Sequence, residues 1–181
     1  ALFYLSDCHL EAGDKAAAMS TLEELLSHNN TIYTERALAV FAPMTFDEGL
    51  FDKSAVAYRR LYDIATDKGR RAKASEGYVE SVILTNDVQS IKSMAEDVAT
   101  MEDASTVARR RAMAQQANIF MGEGRADEAM RIYAALAEDR TTVEGAMAYY
   151  RLVENKYNLG DYAAAEQMVY DLGKVLESSD Y

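Results

Sequence analysis

A turn-forming residue recurs five times along the 181-residue chain at nearly constant spacing. The five residues are Gly13, Gly49, Asn86, Gly124 and Gly160, separated by 36, 37, 38 and 36 positions. Glycine and asparagine adopt a left-handed backbone more readily than other residues, and they commonly end helices. A period of this length is typical of helical hairpins that stack on one another, so it limits the chain to few folds.

The side chains that follow each turn residue repeat at three offsets. Positions five, nine and twelve residues after the turn share one face of a helix. The first set is mostly small: Ala18, Ser54, Ile91, Ala129 and Ala165. The other two sets are mostly large and apolar: Leu22, Tyr58, Ala95, Tyr133 and Val169, then Leu25, Leu61, Val98, Leu136 and Leu172. We predict that the three positions form the buried face of each second helix.

The first helices carry a weaker pattern, in which a large residue precedes a smaller one. The pairs stand eight and seven positions before the turn: Leu5 and Ser6, Phe41 and Ala42, Tyr78 and Val79, Gln116 and Ala117, Leu152 and Val153. Cap-forming residues lie between the repeats: Asn30, Thr31, Asp67, Asp103, Ser105 and Thr141. Thr141 and Glu144 have the spacing of a capping box. These signals predict ten helices of roughly 12 to 17 residues.

Composition supports a folded, all-α chain and disfavours several kinds of partner. The chain is 49% hydrophobic and 27% charged, with one proline and nine glycines. Its formal net charge of −11 would repel phosphates, so we expect neither nucleic acid nor a membrane surface as a partner. No apolar run reaches the roughly 18 residues of a membrane span.

No group of residues has the spacing of a catalytic or metal site. Cys8 is the single cysteine, and its neighbour His9 points about 100° away from it on a helix. We expect Cys8 to pack as a small buried side chain. We expect no enzyme activity, no catalytic residue, no cofactor and no metal.

Pro43 is unfavourable where it lies, because it stands inside a predicted helix and removes a backbone hydrogen bond there. We expect the helix either to kink or to break into two pieces, and we slightly favour the break.

Two basic clusters open the first helices of the third and fourth repeats. They are Lys68, Arg70, Arg71 and Lys73, then Arg109, Arg110 and Arg111. An acidic tail of a partner could dock on them, but a solvated helix face is the commoner use of such charges.

The pattern resembles the tetratricopeptide repeat family, whose helix-turn-helix unit has about 34 residues. The last repeat matches best, at Tyr149, Leu152, Gly160, Tyr162 and Ala165. The periods here are longer, and the family's usual proline after the second helix is missing. The resemblance implies a right-handed α-solenoid of about five antiparallel helix-turn-helix repeats. They form one array with approximate boundaries at residues 1–30, 31–66, 67–103, 104–141 and 142–181.

In this family the first helices line a concave groove that holds a peptide or protein, so the resemblance implies a protein-protein interaction scaffold. The matching positions here are Arg36, Phe46, Lys73, Glu76, Glu80, Arg111, Asn118, Met147, Tyr150, Glu154 and Tyr157. Tyr150 and Tyr157 would offer the amphipathic area that anchors protein interfaces. Alternatively, a further repeat would half-bury both of them.

A second reading is an architectural spacer or self-assembly segment that makes its contacts through its ends, so an oligomer is possible. Segments such as GYVESVILTND also resemble degenerate repeats in large envelope-associated proteins of Bacteroides-type bacteria. That narrower resemblance implies the bacterial periplasm or cell envelope, with the cytoplasm as the alternative. The chain starts inside a helical pattern and stops after the cap-like Ser178, Ser179 and Asp180. We therefore expect a piece of a longer protein.

Overall fold

The computed structural model describes residues 1–28 and 31–178, and within these ranges the chain is all-helical, with no strand. Ten helices follow one another: α1 Leu2–Glu11, α2 Lys15–Ser27, α3 Thr34–Asp47, α4 Phe51–Ile64, α5 Lys68–Leu84, α6 Val88–Thr100, α7 Thr106–Gly122, α8 Ala126–Leu136, α9 Val143–Asn158 and α10 Tyr162–Ser178. The predicted class of helical-hairpin repeats is confirmed. Asn30, Ser179 and Asp180, which we expected to act as caps, lie outside the described residues.

Each hairpin closes through three residues, and the middle one is the predicted turn residue. Gly13, Gly49, Gly124 and Gly160 have φ between +74° and +81°, and Asn86 has φ of +55°. After each glycine, the next amide donates to a carbonyl five positions back; the Leu50 amide, for example, reaches the Thr45 carbonyl at 2.8 Å. This is the Schellman arrangement, which satisfies carbonyls that the helix end leaves open.

The predicted buried register is confirmed at almost every position. All five residues at offset five are buried, and so are all five of the smaller residues seven positions before the turn. Tyr58 and Leu172 are partly buried, and Val169 is 55% exposed although its equivalents Leu22 and Tyr133 are fully or nearly buried. No first helix lies over Val169 in the described chain as α9 lies over Tyr133.

The helices divide into two compact units. The first comprises residues 1–90 and 97–108, and the second comprises residues 91–96 and 109–181. In the first unit, each helix from α1 to α5 packs on its neighbour in sequence. The second unit has a core where Ala117, Ala129, Tyr133, Leu136 and Ala148 meet.

Pro43 does not break its helix, so the prediction of two pieces is wrong. α3 runs without interruption from Thr34 to Asp47. Two buried hydroxyls serve the carbonyl that precedes the proline: Thr45 Oγ1 donates to the Ala42 oxygen at 2.9 Å, and Ser54 Oγ donates to it at 3.0 Å. These bonds stabilise the backbone beside Pro43 from within α3 and from α4.

The helix starts agree with the sequence at some caps and differ by one or more residues at others. The Asp67 carboxylate accepts from the Arg70 amide, and the Ser105 hydroxyl accepts from the Ala108 amide, as predicted. The other predicted caps that lie within the described residues were wrong. Thr142, not Thr141, caps α9, because the Thr141 hydroxyl donates to Asp139. Asp103 binds basic side chains instead of a helix end, and α3 starts at Thr34, three residues after Thr31.

Candidate functional site

The second unit brings two predicted groove residues to one cavity. The cavity, of about 390 Å³, lies where α7, α8 and α9 meet. Its lining consists of Asn118, Met121, Met130, Tyr133, Arg151, Glu154, Asn155 and Asn158. Asn118 and Glu154 stood at predicted groove positions. We call this the α7–α9 cavity.

Hydrogen bonds fix the polar side chains of the α7–α9 cavity. The buried Tyr133 hydroxyl donates to Asn118 Oδ1 at 2.8 Å, and Arg151 Nη1 donates to Glu154 Oε2 at 2.8 Å. Burial raises the pKa of the Tyr133 hydroxyl, so it stays a neutral donor at physiological pH. The Asn118 oxygen is engaged, so the Asn118 side-chain amide offers its two N–H donors to a ligand.

The predicted residues Tyr150 and Tyr157 line a second, larger cavity of about 630 Å³ between α9 and α10. The tyrosines are 53% and 61% exposed. The Tyr157 ring meets the Tyr162 ring edge to face, with centroids 5.0 Å apart. Glu154 lines both cavities, whereas Met147 is exposed and lines neither.

In the first unit, two predicted groove residues are held by aromatic contacts within the chain. The Arg36 guanidinium lies 4.7 Å from the centre of the Phe3 ring, and Phe46 meets Phe51 edge to face at 5.5 Å. Lys73 is exposed, while Glu76 and Glu80 are partly buried. A cavity that the sequence did not indicate, of about 410 Å³, lies between α2 and α4.

The two basic clusters pair with carboxylates of the chain itself. Arg70 binds Glu35, Arg71 Nη1 lies 3.0 Å from Asp103, and Lys68 Nζ lies 3.5 Å from Asp103. In the fourth repeat, the bonds are Arg110 Nη2 to Asp139 at 2.6 Å and Arg111 Nε to Glu144 at 3.4 Å. We favoured the interpretation that these clusters form a solvated helix face. That interpretation is incomplete, because the ion pairs join neighbouring parts of the chain.

Cys8 is exposed, so the prediction that it packs as a buried side chain is wrong. The inward face of α1 is set by the buried Phe3 and Ser6. Cys8 stands two residues after Ser6, roughly 200° further around the helix. Within residues 1–28 and 31–178, no three His, Cys, Asp or Glu side chains are grouped as metal ligands would be. In the same ranges, every helix is too short or too polar to cross a bilayer.

The successive helical hairpins define the class of an α-helical repeat protein. More particularly, residues 1–29 match the family model described as tetratricopeptide repeat. The match covers the first hairpin, which contains the left-handed turn at Gly13 and the buried Ala18 and Leu22. No curated protein matches the chain significantly. Tetratricopeptide repeats generally mediate protein-protein interactions and are generally non-catalytic.

Proposed function

We propose that the chain is a protein-protein interaction scaffold that holds a peptide segment of a partner in the groove lined by its first helices. The α7–α9 cavity is the observation that carries this proposal, because amide, guanidinium, carboxylate and thioether groups converge there from three helices. Such a mixture suits a peptide, whose main chain needs hydrogen-bond partners while its side chains need apolar contact.

The geometry favours an extended peptide backbone at the α7–α9 cavity. Asn118, Asn155 and Asn158 line it. The Asn118 carboxamide can donate to peptide carbonyls, and the Asn155 and Asn158 carboxamides can both donate to a peptide carbonyl and accept from a peptide amide. Met121 and Met130 add flexible apolar surface for a side chain of the ligand. Arg151 is already paired with Glu154, so a free carboxylate would have to displace that pair.

Selection from a displayed peptide library against the purified chain would test the proposal. Peptides selected on the native chain should bind the double variant Asn118→Ala, Arg151→Ala at least about tenfold more weakly, which is about 1.4 kcal/mol. Glu138→Ala removes an exposed side chain outside the cavity and is the matched control. Equal binding by the native chain and the double variant would refute the cavity as the site.

The tyrosine pair calls for a separate variant, because it lines a different cavity, which shares Glu154 and Asn158 with the α7–α9 cavity. If the groove extends to that cavity, Tyr150→Ala, Tyr157→Ala should also weaken the selected peptides. The location in a bacterial envelope, drawn from the narrower resemblance, stays a prediction.

A further inference from the structure

The cavity of about 410 Å³ in the first unit lies in a cleft between the second helices of the first two repeats. We call it the α2–α4 cleft. Leu38 and Phe41 of α3 form its floor, and both are almost completely buried. Leu26 of α2 adds apolar surface to one wall, and Val56 and Ala57 of α4 add it to the other. The first two hairpins supply every lining residue, so the cleft has a described helix on either side.

Polar contacts join the two walls of the α2–α4 cleft at its rim. Lys53 Nζ of α4 lies 2.6 Å from Glu23 Oε1 of α2. Arg60 Nη1 of α4 donates to the Leu26 carbonyl of α2 at 2.8 Å. These bonds fix the spacing of the walls and leave the apolar space between them open. The cavity is therefore formed before any ligand arrives, which lowers the cost of binding.

The corresponding position one repeat later holds an aromatic ring. Counted from the turn residue, Tyr62 is the equivalent of Leu26. Tyr62 is 9% exposed, and the Arg59 guanidinium lies 5.8 Å from the centre of its ring. Arg59 Nε also donates to Asp97 Oδ2 at 2.5 Å, which holds the guanidinium in place. The chain thus places a ring beside a guanidinium where the α2–α4 cleft has the smaller Leu26 and a cavity.

We propose that the α2–α4 cleft binds an aromatic side chain of a partner polypeptide, flanked by basic residues. The ring would pack against Phe41 and Val56, and aromatic side chains supply much of the contact energy of protein interfaces. The Arg60 guanidinium lines the same cavity and can interact with the ring, as Arg59 does with Tyr62. This site is separate from the α7–α9 cavity and does not depend on the function proposed for it.

The charge of the first two repeats favours basic residues beside the aromatic one. Residues 1–66 contain ten acidic and five basic side chains. Two of the acids, Glu23 and the exposed Asp52, line the α2–α4 cleft itself. Lysine or arginine next to the bound ring would meet this negative potential, whereas an acidic segment would be repelled by it.

Titration of short peptides into the methyl-labelled native chain, followed by nuclear magnetic resonance, tests the proposal. The probe is Lys-Lys-Phe-Lys-Lys with both ends capped, and it should shift the methyl signals of Val56 and Leu26 saturably. Lys-Lys-Ala-Lys-Lys has the same charge without the ring and should bind at least about tenfold more weakly, because it buries far less apolar area. Glu-Glu-Phe-Glu-Glu keeps the ring and reverses the charge, and it should also bind more weakly.

Variants of the chain locate the site. Leu26→Tyr fills the cleft with the residue type found one repeat later, so the probe should bind at least about tenfold more weakly. Val56→Ser introduces the residue that stands at the equivalent positions Ser20 and Ser93, and it should weaken binding several-fold. Val88→Ser changes an exposed valine outside the cleft and should bind the probe like the native chain. Circular dichroism would verify that the three variants remain helical.

Four outcomes would overturn the proposal. The first is the absence of a saturable shift up to millimolar probe. The second is equal affinity for the phenylalanine and alanine peptides, which would mean that charge alone attracts them. The third is equally tight binding of N-acetyl-phenylalanine amide, which would make the cleft a site for a small aromatic molecule. The fourth is native affinity in a helical Leu26→Tyr variant, which would place the bound ring elsewhere.

Discussion

The hydroxyl of Ser81 on α5 donates to the hydroxyl of Ser54 on α4 across 3.0 Å. Ser54 in turn donates to the Ala42 carbonyl of α3, so a buried polar chain links three successive helices. Small residues were predicted at the Ser54 position, but nothing in the sequence paired Ser54 with Ser81.

Removing either hydroxyl should destabilise the chain. We expect Ser54→Ala to lower the free energy of unfolding by about 1 kcal/mol, because the Ala42 carbonyl loses the Ser54 donor and the Ser81 hydroxyl keeps only its 2.6 Å bond to the Gly77 carbonyl. Urea denaturation of both single variants and the double variant measures the coupling between the two hydroxyls. Ser27→Ala, which changes an exposed serine, is the control and should shift stability by less than about 0.5 kcal/mol. Strictly additive losses would show that the bond contributes nothing.

Gly145 should tolerate no side chain. A Cβ atom there would overlap the Asp139 carbonyl oxygen, which belongs to the backbone and cannot rotate away. We expect Gly145→Ala to cost about 1 to 3 kcal/mol, measured by thermal or urea unfolding. Gly122→Ala is the matched helical control, because a Cβ there meets no atom within 4 Å and alanine favours helix. Equal stability of the two variants would contradict the packing described for α9.

At the left-handed turn positions, glycine should give a more stable chain than residues that carry a Cβ atom. At Gly124, with φ of +77°, we expect alanine to cost about 1 to 2 kcal/mol through steric strain of its Cβ. Asn86 has φ of +55°, so Asn86→Gly should leave stability unchanged or raise it slightly. A calorimetric melting series on the two variants measures both effects. A destabilising Asn86→Gly would indicate that the asparagine side chain matters more than its backbone.

Tyr78 should titrate far above an ordinary tyrosine. Burial, followed by the nearby Asp97 carboxylate, raises its pKa to about 12. A raised pKa favours the neutral phenol in the folded chain, so this contribution is complete below the ordinary pKa near 10 and is lost as the pH climbs to about 12. The difference between ultraviolet titrations of the native chain and Tyr78→Phe isolates this group. A difference between the two titration curves centred near pH 10 would contradict the prediction.

The turns and buried register were predictable because both depend on local chemistry. A left-handed residue and the apolar spacing around it can be read within one repeat, and the first hairpin shows both. The errors arose where the outcome depended on a competing neighbour. The Thr141 hydroxyl donates to the Asp139 carboxylate, and Thr142 caps α9 instead. Pro43 remains inside a continuous α3, next to an Ala42 carbonyl that accepts from the hydroxyls of Thr45 and Ser54.

The candidate site was less predictable, because a cavity is formed by side chains from several helices. The groove pattern indicated Asn118 and Glu154 but missed Arg151, Asn155 and Asn158. These three residues lie beside the expected positions on α9, and their polarity alone gave no signal. Tyr133 was predicted as a buried ring, whereas its bond to Asn118 appears only when α7 and α8 are placed together.

The glycine turns also bear on how fast the chain folds. Each Schellman bond joins residues only five apart, such as Asp14 and His9, so very little chain entropy is lost in closing it. Hairpins built in this way form from local contacts, and proteins dominated by such contacts fold rapidly. Folding can therefore begin at any of several hairpins and spread to its neighbours, with no obligatory first nucleus.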